Sequence, residues 1–398
     1  MSNMAPLVVI DISAIVNAAR KACGDAPLPL LNHGPNFDGN EWEYLKTCID
    51  TAWVSSAGSF VSKFEELLQE FTGAKYAIAV VNGTSALHTA LLLAGVTFGD
   101  EVLVPSLTFV ATANAVTYCN ATPHFCDVER VSLGIDVPRL DAYLSAIADH
   151  RNNACWNRKT GRRISAIVPM HALGHPLDMG ALMELSRKWD LAVVEDAAES
   201  LGSYYHGRHT GTFGMFGVLS FNSNKIVTTG GGGAILTNDD ALAQRAKHIT
   251  STAKVSHPWQ LLHDEIGFNY RLPNINAALG CAQMEKLPSH LANKRRLAQR
   301  YFAAFEGVSG VKMLREPPGC SSNYWLNSLV LDQADIAKRD EVLQALNDAG
   351  LQSRAVWKPM HLLPMYTACP RMDLSATEDL ATRLISMPSS SNLAASDK

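Results

Sequence analysis

Residues 11–24 place Ile12, Ile15, Val16 and Ala19 on one stripe, with Asp11 or Ser13 ahead of them and Gly24 behind, the pattern of a short amphipathic helix. The Pro-, Gly- and Asn-rich stretch from there to Asn40 reads as loop. From about residue 41 to 250, short apolar runs alternate with helical periodicity. Ala77–Val81, Glu101–Val104, Thr122–Phe125, Ile164–Pro169, Leu191–Glu195, Val218–Phe221 and Gly233–Thr237 all read as strands. Strands alternating with helices predict an α/β domain: a mostly parallel sheet, helices on both faces, ligands at the carboxyl ends of the strands. A long helical pattern runs from Asn274 through Phe305. After it come a strand candidate at Leu326–Leu331, a helix at Ile336–Ala349 and Pro-rich connections, which predict a smaller α+β domain.

The expected division is therefore an N-terminal helix and loop (1–40), a large domain (41–290), a small C-terminal domain (291–388) and a tail. The tail, 389–398, is rich in Ser and Ala without apolar period, and disorder is expected there. No internal repeat is visible. At 398 residues the chain exceeds one ordinary core, which agrees with two domains.

Charged residues make up 18% of the chain, below the usual quarter, so part of the surface is expected to be covered by a partner, most simply a second copy. A net charge of −4 with no dense Lys/Arg cluster gives no footprint for nucleic acid or an anionic membrane. The eight cysteines are scattered with no C-x-x-C pair, so free thiols in a reducing cytoplasm are expected and no metal site. The apolar run Pro6 to Ile10 is too short for a signal-peptide core, and no stretch is long enough to span a bilayer.

Two of the strands end on chemistry. Leu191–Glu195 delivers Asp196 to the point where a buried strand opens into a loop, and Ser220-Phe221-Asn222-Ser223-Asn224-Lys225 precedes four glycines, Gly230 to Gly233. A primary amine and an acid at strand ends are what pyridoxal phosphate (PLP) chemistry needs, one to form a Schiff base and one to keep the ring nitrogen protonated. Alone, Lys225 also reads as a solvated lysine, Asp196 as a helix cap, and the glycine run as a flexible turn or a place where backbone approaches a ligand. Glu199, on the first turn of a helix expected after Asp196, would face the same cleft.

Asn82-Gly83-Thr84-Ser85 follows a strand and opens a small-residue helix. Gly83 permits a tight turn, and hydroxyls at the first helical positions leave N–H groups facing a phosphate, or merely cap the helix. Ser220 and Asn222 are further phosphate donors. Phe109 could lie flat on a planar cofactor or be core. His171 reads as a substrate contact or as a satisfied core histidine. There is no G-x-G-x-x-G after a strand, no Walker lysine, no H-E-x-x-H and no G-x-S-x-G, which removes nucleotide hydrolysis, zinc proteolysis and serine hydrolysis.

Together these segments resemble the DegT-type sugar-nucleotide aminotransferases, PLP enzymes of fold type I. The resemblance is carried, in family order over roughly residues 35–388, by Asn82 to Leu87, Val104 to Phe109, Glu195 to Gly202, Ser220 to Lys225, and Gly267-Phe268-Asn269-Tyr270-Arg271-Leu272. It implies that Lys225 forms the Schiff base and moves the proton between cofactor and sugar carbons, that Asp196 pairs with the pyridinium nitrogen and that Phe109 stacks on the ring. Thr84, Ser85 and Ser220 would hold the phosphate, and Asn269 would reach the phosphate of the neighbouring subunit in a homodimer with shared active sites. Arg271, Arg354, His171 and His361 are candidates for substrate contacts.

Two departures stand out: Glu199 where many relatives have Gln, and Gly231 where they have Glu. Both, with Asn36 to Trp42 and Trp53 to Gly58, resemble the branch that aminates C4 of UDP-linked 4-keto-6-deoxy-N-acetylhexosamines, with glutamate as the expected donor, for cell-surface glycans. The rival readings are a PLP-dependent sugar dehydratase, whose relatives replace the lysine with histidine, and a non-catalytic regulator that binds sugar nucleotide.

Overall fold

The computed structural model describes residues 10–151 and 153–395. Seven strands form the path of the main sheet: β1 (Tyr76–Val80), β2 (Glu101–Pro105), β3 (Thr122–Cys126), β4 (Arg163–Ile167), β5 (Ala192–Asp196), β6 (Phe216–Ser220) and β7 (Gly233–Thr237), in the order β1-β7-β6-β5-β4-β2-β3. The five strands from β6 to β3 run parallel, and β7 lies antiparallel to both its neighbours. A hairpin, Ala148–Arg151 with Ala154–Asn157, adds to β4. The central strands are buried on both faces, which explains their unbroken apolar runs in place of alternation. The α/β reading of the sequence is thus met, with strand ends displaced by at most two residues.

Three helices frame the fold: α1 (Ile12–Cys23), α2 (Gly83–Leu93) and α3 (Asn274–Ala304). Asp11 caps α1 by accepting from the Ala14 amide. The 31-residue α3 serves two cores. Its Ala277, Cys281 and Leu287 pack with Phe64, Leu219 and Phe221 against the sheet, while its Leu297, Ala298 and Tyr301 pack with Leu329, Leu331 and Ile385 of the C-terminal unit. That unit has a four-stranded antiparallel sheet: β8 (Val311–Met313), β9 (Ser328–Leu331), β10 (Arg354–Ala355) and β11 (Leu384–Ser386), ordered β8-β9-β11-β10, with α4 (Ile336–Asp348) against it.

Two expectations differ from what is found. The stripe of α1 does not form a separate N-terminal unit: Ile15, Ala18 and Ala19 are buried in the C-terminal core, where each large side chain removed from water stabilises by about 1.5–3 kcal/mol. The tail is ordered as far as residue 395. Ser391–Ala394 form a 3-10 turn with Leu393 and Ala394 buried beside α3, and the Ser389 hydroxyl accepts the Asn327 amide at 2.9 Å. Apolar period fails as a guide there because two side chains suffice to anchor so short a turn. Residues 396–398 lie outside the described ones.

Candidate active site

The carboxyl ends of β5 and β6 and the amino end of α2 surround a cavity of about 470 Å³, closed on its other side by Asn32, Trp325, Leu326, Ser328 and Arg354. Alternation along β5 divides its two acids. Glu195 points into the sheet's far side, where its carboxylate accepts the amides of Gly211, Phe213 and Gly214 at 2.8, 2.6 and 2.7 Å. Asp196 points into the cavity and is 3% exposed. Its Oδ2 accepts the Thr112 hydroxyl at 2.8 Å and its Oδ1 the Ala198 amide at 3.2 Å. No helix follows: residues 197–202 are turns, so Asp196 is not a helix cap and Glu199 stands on a turn rather than a helical first turn. Asn323 holds that turn, donating from Nδ2 to the carbonyls of Glu199 and Leu201, both at 2.9 Å.

Lys225 reaches the same cavity from the loop after β6. Its Nζ donates to Glu199 Oε1 at 3.3 Å and lies 4.0 Å from the centre of the Trp325 ring. Burial raises the Asp196 carboxyl above the ordinary range, and burial pushes Glu199 up to about 7.

The helix end is prepared by its cap. Asn82 Oδ1 accepts the Ser85 amide at 2.7 Å and the Asn82 carbonyl accepts the Ala86 amide at 3.2 Å. Among the described residues the amides of Gly83 and Thr84 have no partner, and they lie at the positive end of α2. Gly233 makes this approach possible: a Cβ there would stand 2.5 Å from the Asn82 carbonyl carbon and 2.7 Å from the Gly83 nitrogen. At Gly233, then, the glycine run lets strand and helix end touch each other.

Lys225, Asp196, Glu199, Gly83, Thr84, Ser220, Asn222, Phe109 and Arg354 all line the cavity. Ser85 does not; it is buried, with its amide spent on the cap. His171 is fully buried, Nε2 3.1 Å from Glu195 Oε2 and Nδ1 accepting the Leu177 amide, the satisfied core histidine of the two readings. His361 is also held elsewhere, between Ser106 Oγ at 2.8 Å and Glu378 Oε1 at 3.0 Å. Asn269 and Arg271 line a different cleft with Lys247 and Lys254, where Arg271 pairs with Glu65 at 2.7 Å. Sequence reasoning missed Asn82, whose type and position before Gly83 were a usable cap signal, and Trp325, which only tertiary packing brings to Lys225.

This donor set fits PLP. Asp196 is a buried carboxylate whose hydrogen bonds come only from a hydroxyl and an amide, a place for a cationic ring nitrogen. The free amides of Gly83 and Thr84 suit a phosphate, and Lys225 supplies the amine.

The model of the DegT/DnrJ/EryC1/StrS aminotransferase family matches residues 35–398. A GDP-perosamine synthase of Caulobacter vibrioides is 36% identical, covering 91% of this chain and 94% of the relative. One of Escherichia coli O157:H7 is 37% identical, covering 89% and 92%. A crystal structure of a DegT DnrJ EryC1 StrS aminotransferase from Brucella abortus is 29% identical, with a TM-score of 0.80 over 88% of this chain and 90% of that one.

Proposed function

Because the chain belongs to the DegT/DnrJ/EryC1/StrS aminotransferase family and is a PLP-dependent aminotransferase, we propose that it aminates a keto carbon of a nucleotide-linked sugar with glutamate as donor. The observation that carries this is the meeting of Lys225 and Asp196 in one cavity at the amino end of α2. Bound PLP supplies an electron sink that lets a proton leave the carbon bearing the amine.

The chain's own residues do the rest. Lys225 Nζ would attach the cofactor and carry the proton between the two reacting carbons. Asp196 would keep the ring nitrogen protonated, and its hydroxyl and amide partners fix the direction of its carboxylate. The amides of Gly83 and Thr84, with the hydroxyl of Ser220, would hold the phosphate. Phe109, half exposed at the cavity, would pack on the ring.

The names of the relatives favour a GDP-linked substrate over the UDP-linked N-acetylhexosamine expected from the shorter motifs. A homodimer with shared sites is part of the reading. Trp259 and Ile266, 83% and 88% exposed, flank the segment leading to Asn269 and Arg271, and a second copy covering them would bring that cationic cleft to its partner's cavity. Lys225 speaks against a dehydratase of the histidine type, and its meeting with Asp196 against a pure binder, which has no use for an electron sink.

The test is direct. Purified protein is expected to be yellow and to be bleached by glutamate. Keto sugars linked to GDP should then restore the colour faster than those linked to UDP. A colourless protein that binds sugar nucleotide would overturn the reading.

A further inference from the structure

The contact between Lys225 and Glu199 is built from both sides. Glu199 Oε1 receives Lys225 Nζ at 3.3 Å, and Oε2 receives the Leu173 amide at 2.9 Å. Leu173 itself sits at φ +58°, a left-handed conformation that a leucine rarely adopts, and in it the amide meets the carboxylate. The groups that face the pair are few. Asp196, at the end of β5, acts on both; His33, in the segment before residue 40, lies within electrostatic reach of Lys225; the Trp325 ring covers Nζ. Glu199 is 4% exposed and the Lys225 side chain 13%, so water has little access to the space between them.

A lysine that must attack a carbonyl carbon has to lose a proton first, and has to recover one when it is set free. We propose that Glu199 is the proton-exchange partner of Lys225, its Oε1 taking the proton from Nζ before attack and returning it on release. The N–H bond of the ammonium breaks, its electron pair stays on nitrogen as the attacking lone pair, and an O–H bond forms on Oε1. Nothing else is consumed. The ion pair and its neutral form carry the same total charge, so the exchange requires no ion or solvent to enter a buried site. Burial favours the neutral form further: it lifts Glu199 to about 7, the Asp196 charge acts in the same sense, and Lys225 and the Leu173 amide oppose it. The inference rests on the aminotransferase reading, since only an amine that cycles between bound and free states needs such a partner.

Glu199→Gln keeps the volume and an acceptor for the Leu173 amide but cannot hold the proton. The full-length chain, freed of cofactor, is pulsed with acetic anhydride across a pH series, and modification of Lys225 is counted by peptide mass spectrometry. Exposed Lys46 serves as a control for the reagent. In the wild type a fixed fraction of the singly protonated pair holds a neutral amine. Its Lys225 rate is therefore expected to level off as the pH falls toward about 7, where the shared proton sets the amount of neutral amine, and to fall again only below that. In Glu199→Gln the rate is expected to keep falling about tenfold per pH unit with no such plateau, the behaviour of a single titration. Glu199→Asp, which still holds a proton, should keep the plateau.

Parallel profiles in wild type and Glu199→Gln would overturn the proposal. If Glu199→Gln does not fold, a wild-type rate that keeps falling about tenfold per unit through about pH 7 with no plateau does so alone. The assay needs neither sugar nor amino donor, so failure of the aminotransferase reading shows separately, as absent bleaching by glutamate.

Discussion

Two lysines meet at Trp325, one at its ring and one at its backbone carbonyl, and their fates differ. Lys225 faces the ring of Trp325 at 4.0 Å, opens onto the cavity and touches the carboxylate of Glu199. Lys294, on α3, is 0% exposed and donates to the backbone carbonyls of Trp325 at 3.0 Å and Ser389 at 2.5 Å. Burial lowers Lys294 to about 7, so it is the lysine more obviously perturbed. Yet it does not line the cavity, and its donors are spent on tying the segment before β9 and the ordered tail to α3. A depressed amine does not by itself mark a nucleophile; access, and a neighbour able to exchange a proton with it, do.

The sharpest way to break this contrast is to remove each amine in turn. Lys225→Ala is expected to abolish colour and lower kcat by on the order of 10⁴ or more, checked by absorbance and by transfer from labelled glutamate. A Lys294 variant that lost its colour while remaining folded would show the assignment to be reversed. Next in size comes Asp196→Asn, which keeps the shape, can still accept the Ala198 amide on its one oxygen and can donate from its NH2 to the Thr112 hydroxyl, but cannot hold a proton on a ring nitrogen. Its kcat should fall on the order of 10²–10³-fold with the melting temperature little changed. An effect confined to stability would remove Asp196 from the chemistry.

The same contrast explains what the sequence could disclose. Lys225, Asp196 and Gly83 each stand at the end of a strand or the start of a helix, where local pattern alone determines that a side chain or an amide emerges at the ligand edge. The strands were legible for the same reason, since their apolar runs are the direct consequence of burial on both faces. Trp325 and Lys294 were not legible, because they meet only through the packing of the C-terminal unit on α3, and nothing local distinguishes Lys294 from a solvated lysine. Glu199 was found, but its setting was wrong: Asn323, far away in sequence, holds residues 197–202 as turns where a helix was expected. His171 and His361 were plausible contacts by type alone, and hydrogen-bond partners that no spacing reveals keep both from the cavity.

A smaller effect tests the structural side of the pair. Lys294→Met leaves the carbonyls of Trp325 and Ser389 without their donor, at about 1–3 kcal/mol each, offset in part by the end of a desolvated amine. The pH dependence is the more specific sign. Folded Lys294 releases its proton near 7, whereas an unfolded lysine does so near ~10.4. Between those values only the unfolded chain holds that proton. The contribution of Lys294 to stability therefore rises with pH from about 7 to about 10, and below about 7 it stays at its least favourable level. Denaturant titrations at several pH values should show this rise in the wild type and lose it in Lys294→Met.

The smallest effect expected belongs to His361→Gln. Its ring bridges Ser106 and Glu378 outside the lining of the cavity that Lys225 enters, and the amide of glutamine can satisfy one of the two partners. A loss of about 1 kcal/mol in unfolding free energy, with kcat and the KM for glutamate and sugar within a few-fold of wild type, is the outcome consistent with a position outside the cavity. A KM raised tenfold or more at unchanged stability would mean that substrate reaches this side of the C-terminal unit. The boundary drawn here between reactive and structural groups would then have to move past β10.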